Sequence, residues 1–570
     1  MAVTVTRAFR AWIVVACLVA IGLSAALVVR PSIFGGDTHN RGVPEDRLLG
    51  SVDGADSIDL SLALRLPGRD ELLRFLDGLH TPGAPEFRHY LTAAEFGSRF
   101  GLPDAQLSAL ESELSQAGIS IVERFPQRTS IRVRASAATV EAVFGVRLTR
   151  YEDETGREYR RPDRAPDIPP RLTPFVQSVS GLDTSGRRIP RQGPLFDVPA
   201  RGLMPTDIER AFGLTRLRQA TDFGAGEYIA VISFDTFDPA DIARFDAAVG
   251  ITSPPVEKIP VSTAPTKPGQ STVEVNLDID IVRMIAPKAQ ILNFETVDYA
   301  LTNGEMVRAV VADGRAKIAT ISWGWCASWQ MRYFGADALI AEDNELKAAV
   351  AAGVNVFLAS GDSGPYSCRH NDMSEIQLDP DATGSSPNII AVGGTTLSVR
   401  EDGSYLEEVA WEWPLRGEAG GGGQTNAFPR EAWQAGPGVD NAYSNGFRQS
   451  PDVSGPADCD SGFFIVYTDP SEGLFEGSGG CGTSAASPFW AGVTVLLQRY
   501  ARDRGIDELG YLNPTFYALA AEYPPNTIFH DIVRGANLGF DATPGWDFAT
   551  GLGSPIGDAL ADALVEYLSR

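Results

Sequence analysis

Gly480-Cys481-Gly482-Thr483-Ser484-Ala485-Ala486-Ser487-Pro488 is the stretch from which the rest of the chain is read. Ser484 follows Gly-Thr and precedes small residues and then Phe489, Trp490 and Ala491, the pattern of a hydroxyl at the start of a buried helix. Small neighbours let a substrate backbone approach, and a helix N-terminus offers N–H groups and a positive dipole end to a developing oxyanion. Taken alone, the same residues also describe a serine capping a core helix. What the rest of the chain supplies decides between nucleophile and cap.

Around this stretch, from about Leu203 to the end, short β-branched runs alternate with helical stretches. Tyr228-Ile-Ala-Val-Ile-Ser233, Ile291 to Phe294, Ile318 to Ile321, Val354 to Leu358 and Ile389 to Val392 read as buried strands, and Pro239 to Ala248 as a helix. The alternation predicts an α/β domain, 203–570, with a mostly parallel sheet and helices on both faces. In such sheets ligand chemistry gathers at the carboxyl ends of the strands.

Two carboxylate sites fall near those ends. In Ser271-Thr-Val-Glu-Val-Asn-Leu-Asp-Ile-Asp-Ile-Val-Arg-Met-Ile-Ala-Pro287, a helix would put Glu274 and Asp278 on one face, four residues apart. That arrangement reads either as an exposed acidic face or, because Val273, Leu277, Ile281 and Ile285 are apolar, as a partly buried pair sharing a proton, with split and raised pKa values. Asp362 stands in Ala359-Ser-Gly-Asp-Ser-Gly364, directly after the run ending at Leu358; it reads as a turn-capping Asp or as a functional group at the catalytic edge. The five histidines are His39, His80, His89, His370 and His530. The first three precede the α/β domain, and neither of the others has a strand-to-helix context. A Ser/His/Asp triad therefore lacks a base, and a nucleophilic Ser484 would need a carboxylate.

The N-terminal part differs in kind. Residues 1–30 carry Arg7 and Arg10, an uncharged run from Ala11 to Val29, then Arg30, which reads as an export signal or an uncleaved membrane anchor. Its positive flank puts everything after it outside the cytoplasm. Residues 31–50 read as a linker. From about 51 to 183, strands (Ile58 to Leu66, Ile119 to Val122, Ser130 to Val133, Val146 to Tyr151) interleave with helices (Arg69 to Leu79, Asp104 to Ala117 with the acid as cap, Ala138 to Phe144), an α+β domain. Residues 184–202, with Arg187, Arg188, Pro190, Arg191 and Gly193, form an exposed linker suited to cleavage. A net charge of -25 leaves nothing to neutralise phosphates and excludes nucleic acid as partner; it is compatible with acidic surroundings. Cys17 lies in the export segment; Cys326, Cys368, Cys459 and Cys481 allow two disulfides in three pairings, of which Cys326–Cys368 and Cys459–Cys481 join neighbouring segments.

Glu274 with Asp278, then Ser-Gly-Asp362, then Gly-Thr-Ser484, in that order, resemble the sedolisin family, serine-carboxyl peptidases with a subtilisin-like fold. Gly420-Gly-Gly-Gly423, Phe428-Pro429, Trp433-Gln434, Pro451-Asp-Val-Ser454 and Ala286-Pro287 support the match, while Leu91-Thr-Ala-Ala-Glu-Phe-Gly97 and Ala138-Thr-Val-Glu-Ala-Val-Phe-Gly145 resemble the activation domain of pro-kumamolisin-type precursors. The resemblance implies Ser484 as nucleophile, Glu274 as base, Asp278 as its proton-sharing partner and a protonated Asp362 as oxyanion donor. It also implies one structural calcium ion, held by Asp531 and Asp547 with the carbonyls of Ile532, Thr543 and Gly545, oxygen ligands suited to a hard cation. The chain departs from the family pattern at Cys481, where glycine is common, at Ala486 in place of a serine, and at Thr543 in place of a glycine. The expected protein is a monomeric, extracytoplasmic acid endopeptidase acting on peptides and made as a zymogen inhibited by its own prodomain. A tripeptidyl-peptidase of the same fold and a catalytically silent extracellular binding relative are the alternatives.

Overall fold

Eight strands from the C-terminal part join in one sheet: β1 (Tyr228–Ser233), β2 (Glu257–Pro260), β3 (Gln290–Glu295), β4 (Ile318–Ile321), β5 (Asn355–Ala359), β6 (Ile390–Val399), β7 (Tyr405–Ala410) and β8 (Val453–Pro456). The computed structural model describes residues 46–153, 156–185, 189–190, 202–370 and 378–570. The strand order is β2-β3-β1-β4-β5-β6-β7, with β8 also pairing β6. All neighbours are parallel except β6 and β7. Every residue of β4 and β5 is buried. Successive side chains of a strand point to opposite faces, so the sheet is covered on both sides, as the continuous apolar runs predict.

The covering helices include α1 (Pro239–Val249), α2 (Thr272–Ile285), α3 (Asn303–Asp313), α4 (Ala336–Ala351) and α5 (Thr483–Arg502). Asp238 caps α1 through the Ala240 N–H at 2.9 Å, and Thr302 and Glu305 form a capping box on α3. α5 lies along β4, β5, β6 and β8 and against α2, while α3 packs on α4. A buried ion pair pins the start of β8. Arg448 bonds both oxygens of Asp452, at 2.8 and 2.5 Å, and Asp452 also accepts from the Ala391 N–H at 2.8 Å and the Tyr517 hydroxyl at 3.1 Å. Both charges have no exposure, so removing either would strand the other in the core.

The N-terminal part is α+β. One antiparallel sheet runs Ser120–Arg124, Ser130–Ser136, Ser57–Leu64, Val176–Ser180, and another runs Arg47–Ser51, Leu148–Glu152, Glu158–Pro162. Leu60, Leu62, Leu110, Leu114, Val133, Val140 and Phe144 form its own core. Helices Arg69–His80 and Ala93–Phe100 instead contribute Leu72, Phe75, Phe96 and Phe100 to the core continuous with the large sheet. Residues 47–570 accordingly form one compact unit. At the contact, Glu345 of α4 accepts from Thr129 Oγ1 at 2.6 Å and Ser130 Oγ at 2.8 Å, and Arg308 of α3 lies 3.7 Å from Glu345 and over the Phe125 ring.

Three local expectations change. Asp104 is the first residue of its helix, with Pro103 at the cap position and no side-chain cap bond. Helix Ala93–Phe100 was not expected, although Thr92 and Glu95 form a capping box whose spacing is written in the sequence. Strand Leu148–Glu152 starts two residues later than the apolar run suggests, because the preceding helix ends in a left-handed turn at Gly145 and Val146 and Arg147 lead from it into the ladder. The export segment 1–30, most of the linkers 31–50 and 184–202, and His39 lie outside the described residues. No helix among the described residues is long and apolar enough to cross a membrane. The two disulfides are Cys326–Cys368 and Cys459–Cys481, the pairing that joins neighbouring segments.

Buried carboxyls give this fold a definite pH response. Glu408 of β7 accepts from Thr395 Oγ1 at 2.5 Å and from Ser554 Oγ, and burial raises its pKa from 4.5 to about 7. Below the usual carboxyl value, folded and unfolded chains both hold this proton; between 4.5 and about 7 only the folded chain keeps it, so stability falls as pH rises across that window, and above it both have lost the proton. Glu408→Gln should remove a pH-dependent loss of about 3 kcal/mol, read as a flatter dependence of the urea midpoint on pH between about 4 and 8. An unchanged pH dependence would contradict this assignment.

Candidate active site

Asp235, two residues past β1, prepares the turn into α2. Its carboxylate accepts from the Gly269 N–H at 2.9 Å and the Ser271 N–H at 3.0 Å. A Cβ on Gly269 would fall 2.7 Å from that carboxylate, so the turn needs glycine. Burial raises the pKa of Asp235 above its ordinary value. From this turn α2 enters the core, and every residue from Glu274 to Ile285 is buried. The helix therefore has no solvated acidic face: Glu274, Asp278 and Asp280 all have zero exposure. Asp280 accepts from the Val466 N–H at 3.0 Å, joining α2 to strand Phe463–Asp469.

Glu274 and Asp278 are one turn apart on the same side of α2. Ser322, the residue after β4, donates to Asp278 Oδ1 at 2.6 Å. The same hydroxyl stands 3.2 Å from the carbonyl oxygen of Ser484. Burial pushes the Asp278 carboxyl well above the usual carboxylate range, and the Ser322 bond offsets only part of that. Thr320 of β4 shares a 2.8 Å hydrogen bond with Ser487, fixing the first turns of α5 over the strand.

Asp362 reaches the same helix start from the end of β5. Its Oδ1 accepts from the Thr483 N–H and from Thr483 Oγ1, both at 2.8 Å, and Thr483 Oγ1 accepts in turn from the Gly361 N–H at 3.0 Å. The Gly420–Gly423 run closes over this loop: the Gly421 N–H donates to the Gly361 carbonyl at 2.6 Å, and Ser360 Oγ donates to the Gly421 carbonyl at 2.7 Å. A Cβ at Gly421 would sit 2.1 Å from the Ser360 oxygen, and one at Gly422 2.1 Å from the Phe548 oxygen, so the close approach explains the glycines.

Ser484 lies in the first turn of α5, fully buried, where helix N–H groups lack intrahelical partners. Gly482 before it has φ 78° and donates to the Ala457 carbonyl at 2.6 Å. The disulfide from Cys481 to Cys459 ties the same turn to the segment after β8, which gives the unusual Cys481 a structural reason. Among the described residues no histidine hydrogen-bonds to the Ser484 hydroxyl. His530 stacks on Tyr405 with ring centres 3.7 Å apart, and burial lowers its pKa to about 4. Sequence reasoning brought Glu274, Asp278, Asp362 and Ser484 into one neighbourhood. It missed Ser322, whose one signal is a hydroxyl at the carboxyl end of the run Ile318 to Ile321, and Thr483 as the clasp between Asp362 and the helix.

The C-terminal candidate residues also converge. Asp531 accepts from the Gly545 N–H at 3.1 Å; Asp547 accepts from the N–H groups of Thr543, Ala549 and Thr550, each at 2.8 Å. Neither carboxylate has an ion pair among the described residues, and burial raises Asp531 and lifts Asp547 to about 7. A buried carboxylate, Asp547, and a half-buried one, Asp531, neither with an ion pair, are oxygen donors of the kind a hard cation takes. A third grouping, Cys326, Cys368 and Asp379, does not, because its two sulfurs form a disulfide.

Comparison with known proteins agrees with this geometry. Residues 45–185 match the family model for the pro-kumamolisin activation domain, and residues 268–553, just over half the chain, match that for the subtilase family. Kumamolisin from Bacillus sp. (strain MN-32) is 29% identical, covering 91% of this chain and 94% of its own. A tripeptidyl-peptidase of Aspergillus fumigatus is 25% identical, covering 89% and 92%. The structure of Pseudomonas sedolisin, a serine-carboxyl proteinase complexed with pseudo-iodotyrostatin, superposes with a TM-score of 0.54 at 27% identity, over 65% of this chain and 99% of its own.

Proposed function

The chain belongs to the subtilase family, in its sedolisin branch, and from that premise we propose that it is an acid endopeptidase, exported as a zymogen, with Ser484 as nucleophile and Glu274, Asp278 and Asp362 as its carboxyl partners. That it is a serine-type peptidase with an activation prodomain follows from the family itself. The observation carrying the finer reading is Ser322, whose hydroxyl bridges Asp278 and the Ser484 carbonyl and so couples the carboxylate pair to the start of the nucleophile's helix.

In this reading Glu274 takes the Ser484 proton as Oγ attacks the scissile carbonyl carbon. Asp278 shares a proton with Glu274 and keeps the pair from carrying two buried charges. The oxyanion forms at the first turn of α5, where the Ser484 N–H and a protonated Asp362 donate to it; one such donor is worth about a hundred- to a thousandfold in rate. Glu274 then returns the proton to the leaving amine, and water repeats the sequence on the acyl ester. A neutral carboxyl donor and a carboxylate base both restrict this chemistry to acid.

The domain division 51–183 and 203–570, with 184–202 as the processed linker and 1–30 as export signal or anchor, completes the proposal and places the enzyme outside the cytoplasm, acting on protein or peptide substrates as a monomer. Asp531 and Asp547, with the carbonyls of Ile532, Thr543 and Gly545, would hold one calcium ion, whose charge would offset the two carboxylates; no catalytic step involves it.

Ser484→Ala is expected to give a folded precursor that does not process itself in acid and hydrolyses peptides at background rate, a loss of about a million-fold. Processing by that variant alone would contradict the assignment. Wild-type matured enzyme should cleave an N-terminally blocked peptide; release of tripeptides from free N-termini only would favour the tripeptidyl alternative. Chelation should lower the thermal midpoint of the wild type and leave Asp547→Ala unaffected, whereas equal midpoints with and without calcium would argue against the ion.

A further inference from the structure

One oxygen of the Asp362 carboxyl meets two donors from a single residue. Oδ1 accepts from the Thr483 N–H and from Thr483 Oγ1, both at 2.8 Å. A third bond fixes the direction of the second. The Gly361 N–H donates to Thr483 Oγ1 at 3.0 Å, so that oxygen already accepts there and its single hydrogen is directed to Oδ1. Both sides of this clasp are tethered independently. The Asp362 carbonyl accepts from the Ala419 N–H at 3.0 Å and the Gly361 carbonyl from the Gly421 N–H at 2.6 Å, while the Gly482 N–H, just before Thr483, donates to the Ala457 carbonyl at 2.6 Å. Thr483 is fully buried and Asp362 nearly so, which leaves the pair one arrangement.

A neutral carboxyl carries its proton on one oxygen. An oxygen that faces an N–H and an O–H keeps its lone pairs for them, and a hydrogen placed there would confront theirs, so the proton of neutral Asp362 belongs on Oδ2. The N–H that holds Oδ1 is the immediate neighbour of the Ser484 N–H in the first turn of α5, which sets the carboxyl beside the helix start where an oxyanion forms. The clasp also acts on the proton itself. Two hydrogen bonds to a carboxyl oxygen favour the charged form, and each one removed lets the neutral form persist to higher pH.

We propose that Thr483 is a positioning residue for peptide hydrolysis: by filling Oδ1 of Asp362 with its N–H and its hydroxyl, it confines the Asp362 proton to Oδ2 and aims that oxygen, as donor, at the oxyanion beside the Ser484 N–H. The proposal rests on the reading of Asp362 as a neutral oxyanion donor and of Ser484 as nucleophile. Thr483 acts through Asp362, and its hydroxyl sets both the aim of the donor and the pH at which the donor is lost. An aspartate that merely capped α5 would make the same bonds. The two roles differ in what removal of the hydroxyl does to rate and pH profile. The other ionisable side chains on the elements packed here are Glu274 and Asp278 of α2, Arg416 and Glu418 in the segment leading to Ala419, and Asp458 after β8, with Glu418 facing Arg416 and Asp458; a change at Thr483 leaves all five in place.

The test is kcat and KM on an internally quenched peptide, measured against pH, for wild type, Thr483→Val, Thr483→Ser, Asp362→Asn and the double variant Thr483→Val with Asp362→Asn. Thr483→Val keeps the side-chain shape and the backbone N–H and removes only the hydroxyl. It should lower kcat about tenfold with KM unchanged within about twofold, and move the alkaline limb of kcat/KM upward by about one pH unit. Thr483→Ser returns the hydroxyl and should restore both rate and limb. The amide of Asp362→Asn does not titrate, so adding Thr483→Val to it should lower the rate and leave the limb where Asp362→Asn puts it. A limb that Thr483→Val does not move, a shift that persists in the Asp362→Asn background, or a rate that Thr483→Ser fails to restore overturns the proposal. A wild-type rate and profile in Asp362→Asn overturns the donor reading beneath it, and the proposal with it. Should Thr483→Val fail to fold, Thr483→Ala removes the same hydroxyl and is read in the same way.

Discussion

Three carboxyl groups on one helix without solvent are the constraint that orders this structure. Removing a carboxylate from water costs several kcal/mol, so Glu274, Asp278 and Asp280 are sustained only by protonation, sharing or hydrogen bonds. Asp280 uses the Val466 N–H, and Asp278 uses Ser322 while its own titration is pushed upward. Such a helix must be locked from every side. Asp235 fixes its entry, α5 packs along it, and β4 brings Ser322 to it. The same tethers hold the start of α5, because Ser322, Thr320 and Asp362 each reach that helix from the end of a central strand.

The N-terminal part extends this arrangement. Two of its helices enter the core of the large sheet, and its residues Thr129 and Ser130 meet Glu345 across a buried contact. Within the linker, Ile189–Pro190 pairs antiparallel with Trp323–Gly324, directly after Ser322.

Legibility in the sequence followed the distance over which each interaction acts. The spacing of Glu274 and Asp278, the strand preceding Asp362 and the buried apolar runs of the parallel strands depend on near neighbours and could be read directly, whereas the order of the strands could not. The full burial of α2 could not, because its polar residues Glu274, Asn276, Asp278 and Asp280 mimic a solvated face and are covered by α5 and strand Phe463–Asp469 from far along the chain. Ser322 and Thr483 escaped for the same reason: their partners lie 44 and 121 residues away. The helix at Ala93–Phe100 was legible in its Thr92–Glu95 spacing. Cys481 looked like a departure from a pattern until its bond to Cys459 gave it a purpose.

The central claim is that carboxyl groups perform the work of imidazole here, and the pH dependence of kcat/KM on an internally quenched peptide tests it most directly. With Asp278 held above the usual carboxylate range and Asp362 required as a neutral donor, the profile should peak well below neutrality and fall as pH rises toward 8. A rate that climbs through neutrality to a plateau near pH 8, as an imidazole base would give, would contradict the account.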